Sequence, residues 1–410
     1  MTTNQPVEGA SVTRAGVVVR TVDQGLWSLG FFIFNVTAGV TLPLSDFAAL
    51  SVAAALGFIA VGTSRAWGIY GPIVDAASRG VRPEDSIDRR SSWRGTLAFA
   101  SVVGALSFGW TSRSVSIEFA VAVGCLAALM VVSDLPRQVL IIRGRYSYAA
   151  YLASLYAIGG AVTVAAVSIG AGTAVLLSLW FATLSVVLVV GVVFCGNATN
   201  PITSTSYLGV AWRITAEAVY LGVGSQIAVL LLFLVQDDTA TAGIRFAYSL
   251  VFAPAFVIVQ SVQPLVFKHL ATLSAGGTRA VIAVSLRWNA AIAVGLASCG
   301  VLGFVALATA FDGSGPSVAL PYVVPVGVAI LSAQTFEAAL MATRFFVTPV
   351  LIHRARLASV LIDVSGQGVG VVLAGASGLV WALILLSTAR IAAAAAMLAV
   401  LPRRERTVSS

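Results

Sequence analysis

Charge is scarce in this chain of 410 residues. Only 10% of its residues are Asp, Glu, Lys or Arg, and Lys268 is the single lysine. Apolar residues make up 59% of the sequence. An ordinary soluble domain carries about 25% charged residues, because it must cover its surface with them. The composition therefore excludes an ordinary soluble protein and indicates a chain that lies mostly in lipid.

The residues that build metal centres and disulfides are also few, with three cysteines and two histidines. Cys125, Cys195 and Cys299 lie far apart in apolar stretches, and no carboxylate cluster accompanies His269 or His353. These spacings fit neither a zinc site nor a disulfide framework. The sequence also has no Gly-Lys-Ser phosphate loop, no Ser-His-Asp set and no large external loop with paired acids. We therefore expect no enzyme activity, no metal and no cofactor.

Long apolar runs are abundant. About twelve stretches of about 16–24 residues divide the chain, and about 20 residues suffice for a helix to cross a bilayer core. Because backbone groups in lipid must bond within their own segment, these runs predict helices. We predict an all-α integral membrane protein with twelve spans, which begin near Val22, Leu44, Gly95, Ile117, Tyr148, Ala174, Ala216, Ile244, Val281, Val318, Leu357 and Leu379.

Positive residues sort to one side of these spans. Most of the 24 lysines and arginines fall in the two tails and in every second gap, whereas the opposite gaps hold only Arg113 and Arg245. Cytoplasmic loops carry the excess of positive charge, so both termini are predicted to be cytoplasmic. The net charge of +8 then follows from topology and requires no nucleic acid. We expect a multi-pass protein of the bacterial cytoplasmic membrane, in contact with membrane lipids.

The spans divide into two groups of six. An aromatic-plus-alanine element recurs at the entry to spans two and eight, with Phe47 and Phe246 at matching places. Six spans in each half predict parallel repeats about an axis along the membrane normal. The predicted segments are a cytoplasmic tail (1–21), an N-lobe (22–195), a central cytoplasmic loop (196–215), a C-lobe (216–401) and a cytoplasmic tail (402–410).

Polar side chains within spans are the candidate binding residues, because an ionised one costs about 2.5–3.5 kcal/mol at the centre of a helix. Gln24, Ser28 and Asn35 share one face of span one, which either lines a cavity or bonds to another helix. Gln226 lies near the middle of span seven, and Arg245 is predicted at the outer mouth of span eight. No deep arginine is evident on spans one, two, seven or eight.

Opposite charges occur in the last two spans. At 1.5 Å per residue, Asp363 lies about 9 Å and Arg390 about 15 Å from the inner ends of their helices. Two consecutive antiparallel helices place such long side chains within reach of each other. We predict an intramembrane ion pair between them.

The first two spans resemble the start of the polysaccharide flippases, the O-antigen and teichuronic-acid type exporters of the multidrug/oligosaccharidyl-lipid/polysaccharide (MOP) exporter superfamily. That family opens with Gln and Ser, continues through an Asn/Phe-rich segment, and enters span two with an acidic-Phe-Gly element. A short basic loop precedes its span five. The matching residues are Gln24, Ser28, Gly30-Phe31, Ala38-Gly39, Leu42-Pro43, Asp46-Phe47-Ala48 (where Ala48 replaces the family's Gly) and Arg143-Gly144-Arg145.

The resemblance implies two six-helix lobes around a cavity lined by spans one, two, seven and eight. The implied cargo is a lipid-linked oligosaccharide, turned from the cytoplasmic to the outer leaflet, and the implied partners include proteins of polysaccharide assembly. Arginines at the ends of these spans would bind the pyrophosphate, and amides would bind sugars. The candidate substrate-binding residues are Arg20, Gln24, Asn35, Arg65, Gln226 and Arg245.

Other readings stay open. A drug/cation antiporter of the same superfamily has the same architecture, but its first lobe should bury a carboxylate, and Asp23 lies near the surface in the predicted span. A major-facilitator permease should have a long central loop, whereas here the loop at 66–93 is longer than the one at 197–215. A membrane-embedded glycosyltransferase needs a large external loop, which the sequence lacks.

Overall fold

A computed structural model describes residues 14–78, 89–196, 208–249, 270, 278–309, 315–343, 346–347 and 349–408. The described residues are almost all helical and contain no strand. The predicted all-α class is confirmed. Parts of the predicted tails and loops, the second half of span eight and Lys268, His269 and Arg344 lie outside the described residues.

The first half of the chain forms six long helices. They are α1 (Arg14–Thr41), α2 (Leu44–Arg65), α3 (Arg89–Thr111), α4 (Ile117–Ile142), α5 (Tyr146–Ser168) and α6 (Thr173–Cys195). Helix α2 continues through a π-helical turn at Ala66–Tyr70 into Gly71–Ser78. Pro72 lacks the N–H that an α-helix would use there, and this accounts for the wider turn. The start of the predicted 66–93 loop is therefore helical.

The second half supplies the remaining six. They are α7 (Leu208–Leu234), α8 (Asp238–Ala247), α9 (Thr278–Thr309), α10 (Leu320–Thr343) and a helical hairpin over Pro349–Val408. The hairpin breaks at Ala374 and Gly375, where Gly375 has φ +59°, a conformation that favours glycine. We call its arms α11 (349–373) and α12 (376–408).

Eight helical stretches among the described residues are long and apolar enough to cross a membrane, and the one at Val350–Val400 contains both arms of the hairpin. Helices α1 and α3 are long enough but carry polar ends that lower their hydropathy, and α8 is described only over its first turns. With these three, the helices account for the twelve predicted spans.

Aromatic packing fills the interior of the N-lobe. Trp180 is fully buried, stacks on Phe34 with a centroid distance of 4.8 Å, and donates a hydrogen bond from Nε1 to the Tyr156 hydroxyl at 3.1 Å. Helices α1, α5 and α6 thereby pack together around one cluster. Aromatic burial with satisfied polar tips gives this lobe a fixed interior.

The lobes meet mainly through α2 on one side and α7 and α8 on the other. At the outer end, Phe47 of α2 stacks on Phe246 of α8 with a centroid distance of 4.3 Å, and both rings are buried. The Phe246 ring lies against Gly39 of α1, where it leaves no room for a Cβ atom. The two matching phenylalanines of the sequence thus lie face to face between the lobes.

Candidate functional site

Arg245 lies between the two lobes and within the membrane. It is about 10 Å along α8 from the outer end, at 1.5 Å per residue, and it is 3% exposed. Its guanidinium lies beside Phe58, which is about 20 Å from the outer end of α2. The structure therefore places Arg245 deeper than the outer mouth predicted from the sequence, and a deep arginine does occur on span eight. The depth of Arg245 differs from the prediction because α8 begins at Asp238 rather than near Ile244.

Aromatic rings and one amide surround the Arg245 guanidinium. Its Cζ atom lies 5.4 Å from the ring centroid of Phe31 and 5.3 Å from that of Phe58. Its Nη1 donates a long hydrogen bond of 3.4 Å to Oε1 of Gln226 on α7. Four helices, α1, α2, α7 and α8, thus each contribute one residue to this site, and they are the four helices that the resemblance implied. We call Phe31, Phe58, Gln226 and Arg245 the interlobe site.

Two donors in the interlobe site have no acceptor. Nε and Nη2 of Arg245 are buried and lack a hydrogen-bond partner among the described residues. A buried arginine without a carboxylate is costly, because the charge loses its hydration and gains little in return. Such a group is a candidate anion-binding group.

A second unsatisfied group lies nearby in sequence. Asn35 is 1% exposed, one helical turn after Phe31. Its Nδ2 donates to the Phe31 carbonyl oxygen at 2.8 Å, while its Oδ1 lacks a partner among the described residues. Asn35 therefore offers an acceptor on the same stretch of α1.

Two other predicted binding residues belong to a buried charge network in the N-lobe. Arg65 forms a bidentate pair with Asp134, with distances of 2.6 and 2.7 Å. Arg137 forms another with Asp23, at 2.8 and 2.7 Å, and also donates to Oε1 of Gln24 at 3.0 Å. Nη1 of Arg137 lies 3.5 Å from Asp134, which links the two pairs. We call these five residues the N-lobe network.

The charges of the N-lobe network balance, since two arginines face two aspartates. The Arg137 side chain is fully buried, and its guanidinium also lies 4.7 Å from the ring centroid of Trp27. Asp23, predicted near the surface, is 1% exposed. Arg65 and Gln24 are thus engaged within the lobe, whereas Arg20 is exposed at the inner end of α1.

The C-lobe contains two further ion-pair groups. Arg390 of α12 pairs with Asp363 of α11, so the two residues of the predicted pair are in contact. Arg356 of α11 pairs with Glu217 of α7 and, at 2.5 Å, with Glu337 of α10. The second group joins α7, α10 and α11 through two carboxylates and one arginine. This contact between helices was not predicted from the sequence.

Two members of these ion-pair groups, Asp134 and Arg137, could have been recognised from the sequence. Asp134 and Arg137 lie on one face of α4 at a spacing of three, inside an apolar run, which is a costly placement for unpaired charges. Phe31 and Phe58 gave no such signal, because aromatic residues are common in spans. Among the residues that the structure describes, no group of three His, Cys, Asp or Glu could hold a metal ion.

Comparisons with known proteins find structural neighbours only. No protein-family model matches the chain, and no curated protein matches it. Among solved structures, a MATE transporter in a straight conformation is 12% identical with a TM-score of 0.59, over 94% of this chain and 95% of that one. The chain has the fold of the MOP superfamily transporters.

Two further solved structures with this fold align with the chain over almost the full length of both proteins. A MOP superfamily transporter from Pyrococcus furiosus, described as having a binding pocket of reverse polarity that suggests a different function, is 13% identical with a TM-score of 0.53, over 94% of this chain and 96% of that one. A multidrug resistance MATE family transporter in an inward-facing conformation is 13% identical with a TM-score of 0.54, over 94% and 99%. At these identities the likeness establishes the twelve-helix fold.

Proposed function

We propose that this protein is a membrane transporter that moves a polyprenyl-pyrophosphate-linked oligosaccharide from the cytoplasmic to the outer leaflet by alternating access. It would act in the bacterial cytoplasmic membrane, alongside proteins of surface polysaccharide assembly. The MOP fold supports transport in general. The choice of cargo depends on the interlobe site.

The observation that carries this proposal is the buried, unsatisfied guanidinium of Arg245 between the lobes. A phosphate or pyrophosphate head supplies paired oxygens that match the planar donors of an arginine. Gln226 and Asn35 supply amides for hydrogen bonds to sugar hydroxyls. The polyprenyl tail can remain in lipid while the polar head crosses.

The N-lobe network supports an anionic cargo over a cationic one. Both of its aspartates are already paired with arginines. A cationic drug would have to break a bidentate pair to reach either carboxylate, whereas an anion meets Arg245, two of whose donors have no acceptor among the described residues. The charge balance of the first lobe therefore disfavours a cationic substrate.

A small-molecule antiporter is the second candidate. Two observations favour it: the fold is shared with MATE transporters, and Glu217 of α7, which pairs with Arg356, is a carboxylate whose side chain is 26% exposed. A cation could bind there. In that case the group in the C-lobe, rather than Arg245, would control transport.

Reconstituted vesicles test the two candidates. We expect wild-type protein to move a fluorescent polyprenyl-pyrophosphate-linked oligosaccharide between leaflets and Arg245→Gln to slow this movement at least tenfold. Arg287→Gln is the matched control, since Arg287 is an exposed arginine on α9. Transport of a cationic dye that depends on Glu217 and is indifferent to Arg245→Gln would instead establish the antiporter.

A further inference from the structure

The free donors of Arg245 form one particular edge of its guanidinium. Nη1 is used by Gln226, which leaves Nε and Nη2 without an acceptor among the described residues. Nε and Nη2 together make the side-on fork that binds two oxygens of one phosphate or carboxylate group. The geometry therefore selects an oxyanion that presents two oxygens in one plane.

This edge is buried, and two aromatic rings lie beside the guanidinium that carries it. Phe31 and Phe58 both lie beside the guanidinium and contact each other edge-to-face at a centroid distance of 4.7 Å. A ligand that approaches from the side of the rings must displace at least one of them before it can replace the missing acceptor.

The two rings differ in how firmly they are held. Phe31 packs against the main buried core of the protein, and its ring centroid lies 6.2 Å from that of Trp180. Phe58 is 39% exposed and has no such backing in that core. One helical turn further along α2, Gly62 has open space around the position of a Cβ atom. Phe58 is thus the ring that has room to move.

We propose that Phe58 is an aromatic shutter over the interlobe site, which covers the Nε–Nη2 edge of Arg245 at rest and swings aside to admit the phosphate of the cargo. This inference depends on the proposed function, because it assigns the phosphate-bearing head to that edge. The shutter lowers the apparent affinity of the empty protein, since only the open fraction binds. It also keeps a lone arginine away from other anions.

Titration calorimetry on the purified full chain tests the shutter, with inorganic pyrophosphate as the probe. We expect Phe58→Ala to bind pyrophosphate about tenfold more tightly than wild type, as for a site that is open about a tenth of the time. Phe58→Leu should give an intermediate gain and Phe58→Trp a loss. Phe181→Ala is the matched control, because Phe181 is a similarly exposed ring on α6, and should leave binding unchanged.

The same substitution in the Arg245→Gln variant distinguishes an error about the role of Phe58 from an error about the anion site. In Arg245→Gln protein, the gain from Phe58→Ala should disappear. If pyrophosphate binding depends on Arg245 while all Phe58 variants bind like wild type, the shutter is wrong and the anion site stands. If Arg245→Gln binds as well as wild type, or if neither wild type nor Phe58→Ala binds, both proposals fail.

Comparison with a prenyl pyrophosphate shows whether the site binds the phosphate of a lipid-linked cargo or a soluble phosphate. We expect geranyl pyrophosphate to bind more tightly than inorganic pyrophosphate, with the same dependence on Phe58. Equal binding of the two probes would overturn the lipid-linked cargo and leave the shutter over a site for soluble phosphate.

Discussion

Removal of Asp23 should destabilise the protein strongly. Arg137 has a fully buried side chain and makes its bidentate pair with Asp23. In Asp23→Asn, its remaining carboxylate is Asp134, at 3.5 Å, which is already bidentate to Arg65. The buried Arg137 and the partly buried Arg65 then share one carboxylate. Breaking a buried pair by removing one partner costs about 3–5 kcal/mol, and we expect a loss of this size at neutral pH.

A double-mutant cycle shows whether the charge balance is the cause. Asp23→Asn with Arg137→Gln restores neutrality, so the loss of unfolding free energy in the double variant should be smaller than the sum of the two single losses by about 1.5–3 kcal/mol. Reversible unfolding in mixed micelles, followed by tryptophan fluorescence, measures each variant. Glu118→Gln is the control, since Glu118 is an exposed acid on the same helix as Arg137, and should change stability by less than about 0.5 kcal/mol. If Asp23→Asn unfolds like this control, the pairing does not stabilise the lobe.

The outer contact and the C-lobe pair give two further predictions. Gly39→Ala should lower the free energy of unfolding by about 1–3 kcal/mol, because its Cβ would overlap the Phe246 ring; Gly62→Ala, with open space around it, should not, and equal effects of the two would refute the overlap. Asp363→Asn and Arg390→Gln should each reduce the yield of folded protein in membranes, and the double variant should recover it. A double variant no better than either single one would show that the contact is not a stabilising pair.

The sequence predicted the helices well, because long apolar runs have one main solution in lipid. Helix α2 begins at Leu44, as predicted. The turn between α11 and α12, at Ala374 and Gly375, lies between the predicted eleventh and twelfth spans. The start of α8 was misplaced because Asp237 caps this helix by accepting from the Ala240 N–H at 2.9 Å. A polar cap extended the helix beyond its apolar run and carried Arg245 inward.

The candidate site was only partly predictable. Gln226 and Arg245 were named from their cost in lipid, and they are in contact in the structure. Arg65 was named because the resemblance implied a cavity with arginines at the ends of its spans, yet it is paired with Asp134, because its place in a span does not show which charges have partners. Contacts between α1, α2 and α4 depend on the packing of helices that are far apart in sequence, and a single sequence holds no record of that packing.

The stacked Phe47 and Phe246 are the two residues that the sequence pattern matches between the halves of the chain. If the halves are repeats, this contact is isologous, as in a symmetric dimer, where one surface meets its own copy. A half-length ancestor that paired with itself would have needed one phenylalanine to make it. The contact would then be older than the joining of the halves, and the asymmetric features, such as Arg245 on one side alone, would be later additions to an inherited symmetric frame.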